Sequence, residues 1–140
     1  MTAIDSPNGE VQVDLVAVDS IDMSPIEWMW PGNLALGKLH ILAGAPGTGK
    51  TTLSMAIAAT VSNGSTWPDG TQSIEGKVLI WSGEDDPSDT LKPRLVAHGA
   101  RTANCFVVGD VRLGDQPRSF DPAIDMPILL AAAECAHRSV

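Results

Sequence analysis

The eight residues Gly44-Ala45-Pro46-Gly47-Thr48-Gly49-Lys50-Thr51 fit G-x-x-x-x-G-K-[ST] at every fixed position. Their flanks fit as well. Leu39-His40-Ile41-Leu42-Ala43 is a short apolar run that stops at Gly44, as a buried parallel strand would. Beyond the turn, Leu53, Ile57 and Val61 recur four apart, with Ala56 and Thr60 on the same face, so a helix is expected to end near Asn63-Gly64. A glycine turn between strand and helix folds its N–H groups into a nest that suits phosphate oxygens, and the helix presents its positive end to the same place. On this pattern Lys50 would reach the β- and γ-phosphates and the Thr51 hydroxyl would hold Mg²⁺. The expected nucleotide-binding set is Gly44, Ala45, Pro46, Gly47, Thr48, Gly49, Lys50, Thr51 and Thr52, with ATP and Mg²⁺ as cofactors. The plainer alternative is a glycine turn that joins strand to helix and holds nothing.

Periodicity extends the same architecture along the chain. Residues 1–10 hold Pro7, Asn8 and Gly9 and read as a flexible tail. Val11, Val13 and Leu15 alternate with Gln12, Asp14 and Val16, and Val18 follows in step, which suggests a strand exposed on one face. Asp19 to Gly37 contains Pro25, Pro31 and Gly32 and reads as a loop over the core. Lys77 to Ser82 predicts a second buried strand. Asp86 then caps a helix, with Pro87 at its first position, a kink or restart at Pro93 and an end at Gly99. Cys105 to Val108 predicts a third strand, and Gly109 to Asp121 a turn-rich stretch. Asp125 is expected to cap a last helix from about Pro127 to Arg138, apolar through Ile128, Leu129, Ala132, Cys135 and Ala136. Strand and helix alternate throughout. The predicted fold is α/β: three layers, with a mostly parallel sheet and helices on both faces.

Composition narrows the class. The chain has 140 residues, 44% of them hydrophobic and 19% charged, which is a globular mix for about one domain. A net charge of −8 argues against a compact basic nucleic-acid module, and the scattered Arg101, Arg112, Arg118 and Arg138 form no platform with aromatic residues. No apolar run reaches membrane-spanning length. Met1 to Glu10 lacks the basic and apolar segments of a signal peptide, so the expected location is cytoplasmic. Cys105 and Cys135 make no metal-type cluster and read as buried free thiols. His40, His98 and His137 lack partners at ligand spacing and are assigned no metal. Trp28, Trp30, Trp67 and Trp81 are read as packing residues rather than base-stacking ones.

The second chemical signal is Ser82-Gly83-Glu84-Asp85-Asp86, at the carboxyl end of the second predicted strand. In open α/β sheets that end faces the ligand crevice. Glu84 is the candidate catalytic carboxylate, able to orient or deprotonate a water attacking the γ-phosphate. Asp85 is a candidate for ordering Mg²⁺ through water. The alternative for these carboxylates is an acidic helix cap, which is the role assigned to Asp86.

Together the motifs carry a resemblance. Trp28-Met29-Trp30-Pro31-Gly32, Leu36-Gly37-Lys38-Leu39, the glycine-rich loop, Trp67-Pro68-Asp69-Gly70, Ser82 to Pro87, Thr90 and Arg94-Leu95 resemble the RepA-type, AAA_25 branch of the RecA-like P-loop ATPases. The resemblance covers about residues 23 to 138. It implies a partial RecA-like ATPase domain over residues 11–140, with Walker A at 44–51 and the acidic strand end at 82–86. It also implies Lys50 as the P-loop lysine, Thr51 as the Mg²⁺ hydroxyl and Glu84 as the glutamate acting on the attacking water. The family often forms a homo-hexamer translocating on single-stranded DNA, in replication or mobile-element maintenance. The sequence departs from the family in showing no apolar run that ends in Asp after Cys135, where a Walker B strand belongs. The fold is therefore expected to be C-terminally incomplete, with weak nucleotide binding and little turnover. The competing readings are a nucleotide-binding remnant or regulatory module without turnover, and a P-loop small-molecule kinase. The acidic segment after Gly83, where a kinase would carry an arginine-rich lid, speaks against the kinase.

Overall fold

A computed structural model of the chain describes residues 13–138. The tail expected at 1–10 and the start of the strand expected at Val11 lie outside the described residues. At the centre is a parallel pair, β3 (Val78–Ile80) beside β4 (Cys105–Val107), in the register Val78–Cys105 and Ile80–Val107. Both are strands that apolar runs had predicted. Val78, Ile80 and Cys105 turn toward a cluster made by Met55 and Ala58 of α1 (Lys50–Asn63), by Leu91, and by Leu95 of α2 (Lys92–Ala97). Leu79 points the other way. There it lines a groove of about 310 Å³ with Phe120 and with Ile128, Leu129 and Ala132 of α3 (Pro122–Arg138).

α1 lies where it was expected, but it buries a different stripe. Met55, Ala58, Ala59 and Ser62 face inward, while Leu53 is exposed and Ile57 and Val61 are half-buried. The spacing of three, four and seven is helical in either case. Small residues at 58, 59 and 62 let the neighbouring chain come close. Ser62 is fully buried, donates to the Ala59 carbonyl at 2.9 Å and accepts the Arg101 N–H at 3.0 Å. The helix ends at Gly64 in the left-handed region, φ 59°, with its N–H on the Val61 carbonyl and the Ser65 N–H on Thr60.

Between β3 and β4 the chain makes one wide turn, Pro87–Leu91, with π-helical bonding, and then α2. Asp86 caps this turn as expected, accepting from the Ser88 N–H at 2.7 Å and the Asp89 N–H at 3.3 Å. The expected disturbance at Pro93 takes the form of a restart. A proline lacks an N–H, so it fits the first turn of α2. Gly99, φ 74°, closes the segment.

Several expectations about strands and loops are corrected. Leu39–Ala43 joins no sheet among the described residues, and Leu39 and Ile41 are 88% and 82% exposed. Apolar content favours burial, but a strand also needs a neighbouring edge to supply N–H and C=O partners, and none pairs with this run among the described residues. For the same reason the predicted strand over 11–18 is irregular from Val13 and ends in a 3₁₀ turn, Val18–Ser20. The segment 19–37 is not simply a loop. It contains an antiparallel hairpin, β1 (Trp28–Trp30) and β2 (Leu34–Ala35), turned by Pro31-Gly32 with the Asn33 N–H on the Trp30 carbonyl. A second hairpin, β5 (Val111–Leu113) and β6 (Gln116–Arg118), occupies the stretch expected to hold turns alone.

The last helix starts at Pro122, so Asp125 is not its cap. Asp121 fills that role, accepting from the Ala123 N–H at 2.9 Å. Asp125 stands in the first turn, 1% exposed, and its two oxygens meet the Arg118 guanidinium at 2.6 and 2.5 Å. The apolar stripe expected on this helix is only partly covered, with Ile128 exposed; Cys135 and Ala136 lie beyond the described side chains. Cys105 is half-buried rather than buried. The architecture is α/β, as predicted. Its sheets among the described residues are three two-stranded pairs.

Candidate functional site

The loop from Gly44 to Gly49 is exposed and leads directly into α1 at Lys50. Two glycines carry the backbone through it in the left-handed region, Gly47 at φ 78° and Gly49 at φ 85°. Side chains with a Cβ avoid that region. Thr48 Oγ1 donates to the Ala45 carbonyl at 2.8 Å. Lys50 Nζ donates to the carbonyls of Gly44 at 2.9 Å and Ala45 at 2.8 Å, so its ammonium lies across the start of the loop. Gly44, Ala45, Thr48 and Lys50 are thereby joined by direct contacts. Pro46, Gly47 and Gly49 shape the turn between them. Thr51 is half-buried and Thr52 exposed on the first turn of α1, where Ser54 Oγ donates to the Lys50 carbonyl.

The start of α1 lacks the side-chain cap found at the Pro87–Leu91 turn and at α3; α2, which continues directly from that turn, has none either. Gly49 offers no side chain to cap it, and its first turn holds no acidic residue. At Pro87–Leu91, Asp86 accepts the free N–H groups, and at α3 Asp121 does so. Among the described residues, the first N–H groups of α1 thus have no capping side chain, and the Lys50 ammonium lies over the loop that leads into them.

Glu84 and Asp85 follow β3 in a tight turn. Ser82 Oγ accepts from the Asp85 N–H at 3.0 Å and the Glu84 N–H at 3.3 Å, which fixes that turn. Sequence reasoning missed this role of Ser82. Its signal was a hydroxyl two and three residues ahead of the acids. Glu84 is exposed and Asp85 half-buried. Among the described residues, no hydrogen bond or ion pair joins either carboxylate to the glycine loop. Asp86 is held below the usual carboxylate range by the Ser88 hydroxyl and the N–H groups it caps.

His40 was also missed as a structural residue. Its Nε2 lies 3.0 Å from the Ala35 nitrogen and 3.2 Å from the Ala35 oxygen, which ties the run before the loop back to β2. The four tryptophans divide. Trp67 is 3% exposed and stacks on Trp30 with centroids 4.6 Å apart and rings parallel to within 1°. Trp28 and Trp81 are more open, and Trp81 meets Phe120 at 6.1 Å.

Among the described residues no cluster of three His, Cys, Asp or Glu side chains is set to hold a metal. The loop and the helix start offer the hydroxyls of Thr48, Thr51 and Thr52, of which Thr48 is bonded to the Ala45 carbonyl. Mg²⁺ is compatible with so few protein ligands, because it keeps waters and takes phosphate oxygens. No helix among the described residues is long and apolar enough to cross a membrane. A family model described as AAA_25, an AAA domain, matches residues 7–136. No curated protein matches the chain, and no solved structure does.

Proposed function

Because the chain belongs to the AAA_25 family of AAA domains, we propose that its Gly44–Thr51 loop binds Mg-ATP. The observation that carries this is the start of α1: N–H groups with no capping side chain, no acidic residue in the first turn, and the Lys50 ammonium laid over the loop. A polyphosphate supplies the acceptors and the negative charge that such a start lacks. Lys50 exchanges its two carbonyl partners for phosphate oxygens. The loop glycines let the backbone approach, and Thr51 and Thr52 contribute hydroxyls at the helix start. Thr51 would ligate Mg²⁺, with Asp85 acting on the metal's waters. Bound Mg²⁺ neutralises charge that develops on the phosphates.

For hydrolysis, Glu84 is the residue that accepts a proton from the attacking water. Its carboxylate is exposed, and Ser82 holds the turn that presents it. The finer reading is a three-layer, RecA-like, helicase-type ATPase. It would work in replication or mobile-element maintenance as a homo-hexamer on single-stranded DNA. The spaced motifs from Trp28 to Arg94 support it, while the net charge of −8 offers no DNA-binding surface on the single chain. The separation of Glu84 and Asp85 from the loop contacts favours a second reading, a nucleotide-binding module with little turnover.

A thermal-shift titration with Mg-ATP separates these readings. A ligand that binds only the folded state stabilises it by about 2.7 kcal/mol at a hundred times its Kd. Wild type should show a saturable shift, and Lys50→Ala should lose it. Glu84→Gln should keep the shift and lose any phosphate release. A wild type without a shift at millimolar nucleotide sinks the proposal, and a shift without phosphate release selects the module.

A further inference from the structure

The geometry points to Trp30, Trp67 and Asp69 as a latch that positions the glycine loop, so that nucleotide affinity depends on residues that do not touch the nucleotide. The inference rests on the nucleotide-binding reading above.

The Leu39–Ala43 run that delivers the chain to the loop has no strand beside it among the described residues. What holds its beginning is His40 on Ala35, the last residue of β2. The hairpin is held in turn. Its Trp30 ring lies flat on Trp67, and Trp30 Nε1 donates to Asp69 Oδ2 at 2.7 Å. Trp67 Nε1 donates back to the Met29 carbonyl at 3.1 Å. Two indole N–H bonds and one stack therefore fasten the segment before the loop to the segment that follows α1.

The receiving side is itself tied by several hydrogen bonds. Thr66 bridges Gln72, the Trp67 N–H reaches the Thr71 carbonyl at 2.8 Å, and Gly70, φ 87°, makes the bend. Asp69 Oδ1 accepts from the Thr71 hydroxyl at 2.7 Å and the Thr71 N–H at 2.9 Å. These bonds, the Thr71 hydroxyl first, hold Asp69 below the usual carboxylate range and keep it a charged acceptor for Trp30. At the base of this segment, the Ser73 N–H reaches the Ser65 carbonyl and Gly64 joins it to α1. The unit from β1 through the loop and α1 to residue 73 is thus closed into a ring, with the latch as its clasp. Opening the clasp frees one end of the loop, and a loop that is competent a tenth of the time binds its ligand about tenfold more weakly.

Coupling of this kind is reciprocal, so nucleotide must also tighten the latch. Two stacked indoles at this distance couple strongly, their circular dichroism couplet varies with the skew between their transition moments, and the chain has no tyrosine to obscure it. The test measures Kd for a fluorescent ATP analogue and the dichroism with and without Mg-ATP, well below each protein's melting temperature. The proteins are wild type, Trp30→Phe, Asp69→Ala and Lys50→Ala. Trp30→Phe keeps an aromatic ring at a half-exposed position and removes the indole N–H donor together with part of the stacking surface. It serves as the folded variant if Asp69→Ala melts too low. Support is an indole signal that grows with nucleotide in wild type but not in Lys50→Ala, with Kd about tenfold weaker in Trp30→Phe. Folded latch variants that bind as tightly as wild type, or an indole signal indifferent to nucleotide, overturn the latch and leave nucleotide binding standing. A wild type that binds nothing overturns both.

Discussion

Replacing Gly64 by alanine perturbs the C-terminus of α1 in two ways. At φ 59° an L-residue sits in the left-handed region, which costs roughly 1–2 kcal/mol. A Cβ built there also falls 2.8 Å from the Glu75 Cβ and 3.1 Å from the Glu75 backbone, so the returning chain must shift. Overpacking of that kind costs about 1–3 kcal/mol. The stiffer unfolded chain returns about 0.4–1 kcal/mol. The net loss is about 2–4 kcal/mol. At roughly 4 °C per kcal/mol for a chain of this size, the melting temperature should fall by about 8 °C or more. Gly99→Ala is the internal control, because φ is 74° there and no atom lies within 4 Å of the added carbon. It should lose only the backbone part, about 2–4 °C. Differential scanning fluorimetry of both variants suffices. Equal losses would show that the Glu75 contact contributes nothing, and no loss in either would refute the account of this helix end.

Three further outcomes follow from other contacts. The Arg118 hydrogen bonds, then the Asp121 N–H, pull the Asp125 carboxyl from 3.8 to about 2, so the stability it confers is complete above 3.8 and lost as pH falls toward 2. The melting curves of wild type and Arg118→Gln, apart at neutral pH, should therefore converge over that interval; a constant gap would remove the ion pair as its cause. Ser62→Ala leaves the Arg101 N–H without its acceptor in a buried place, and urea denaturation should register about 1–3 kcal/mol. At the proposed nucleotide site, phosphate release that survives in Glu84→Gln would move the base to another residue.

What could be read from the sequence was what local chemistry decides. Gly64 after an apolar stripe marked the end of α1, and Asp86-Pro87 marked the next helical start, because both signals act within a few residues. Val78–Ile80 and Cys105–Val107 were legible because a parallel strand covered by helices must be apolar throughout. Leu39–Ala43 carries the same pattern and pairs with nothing among the described residues, since the edge a strand needs is a non-local fact. The hairpins at 28–35 and 111–118 were hidden by strands of two or three residues around Gly32 and Gly114. Asp125 was read as a cap by residue type. Asp121 lies four residues earlier, and burial of Asp125 against Arg118 is decided by β6, which the sequence did not announce. At the site the loop geometry was legible from glycine and lysine spacing, whereas Ser82 and His40 act through backbone groups that no motif names.

The latch also has a bearing on the order of folding. Its two indole bonds span 38 and 39 residues, far more than the turns and hairpins around them. Closing a long segment costs entropy before any contact rewards it, so such ties tend to form after the transition state. Interactions absent from that state govern how fast a protein comes apart, not how fast it forms. Weakening Trp30, Trp67 or Asp69 should accordingly steepen the unfolding rate and leave refolding nearly untouched. In this chain, the clasp before the glycine loop acts as a brake on unfolding.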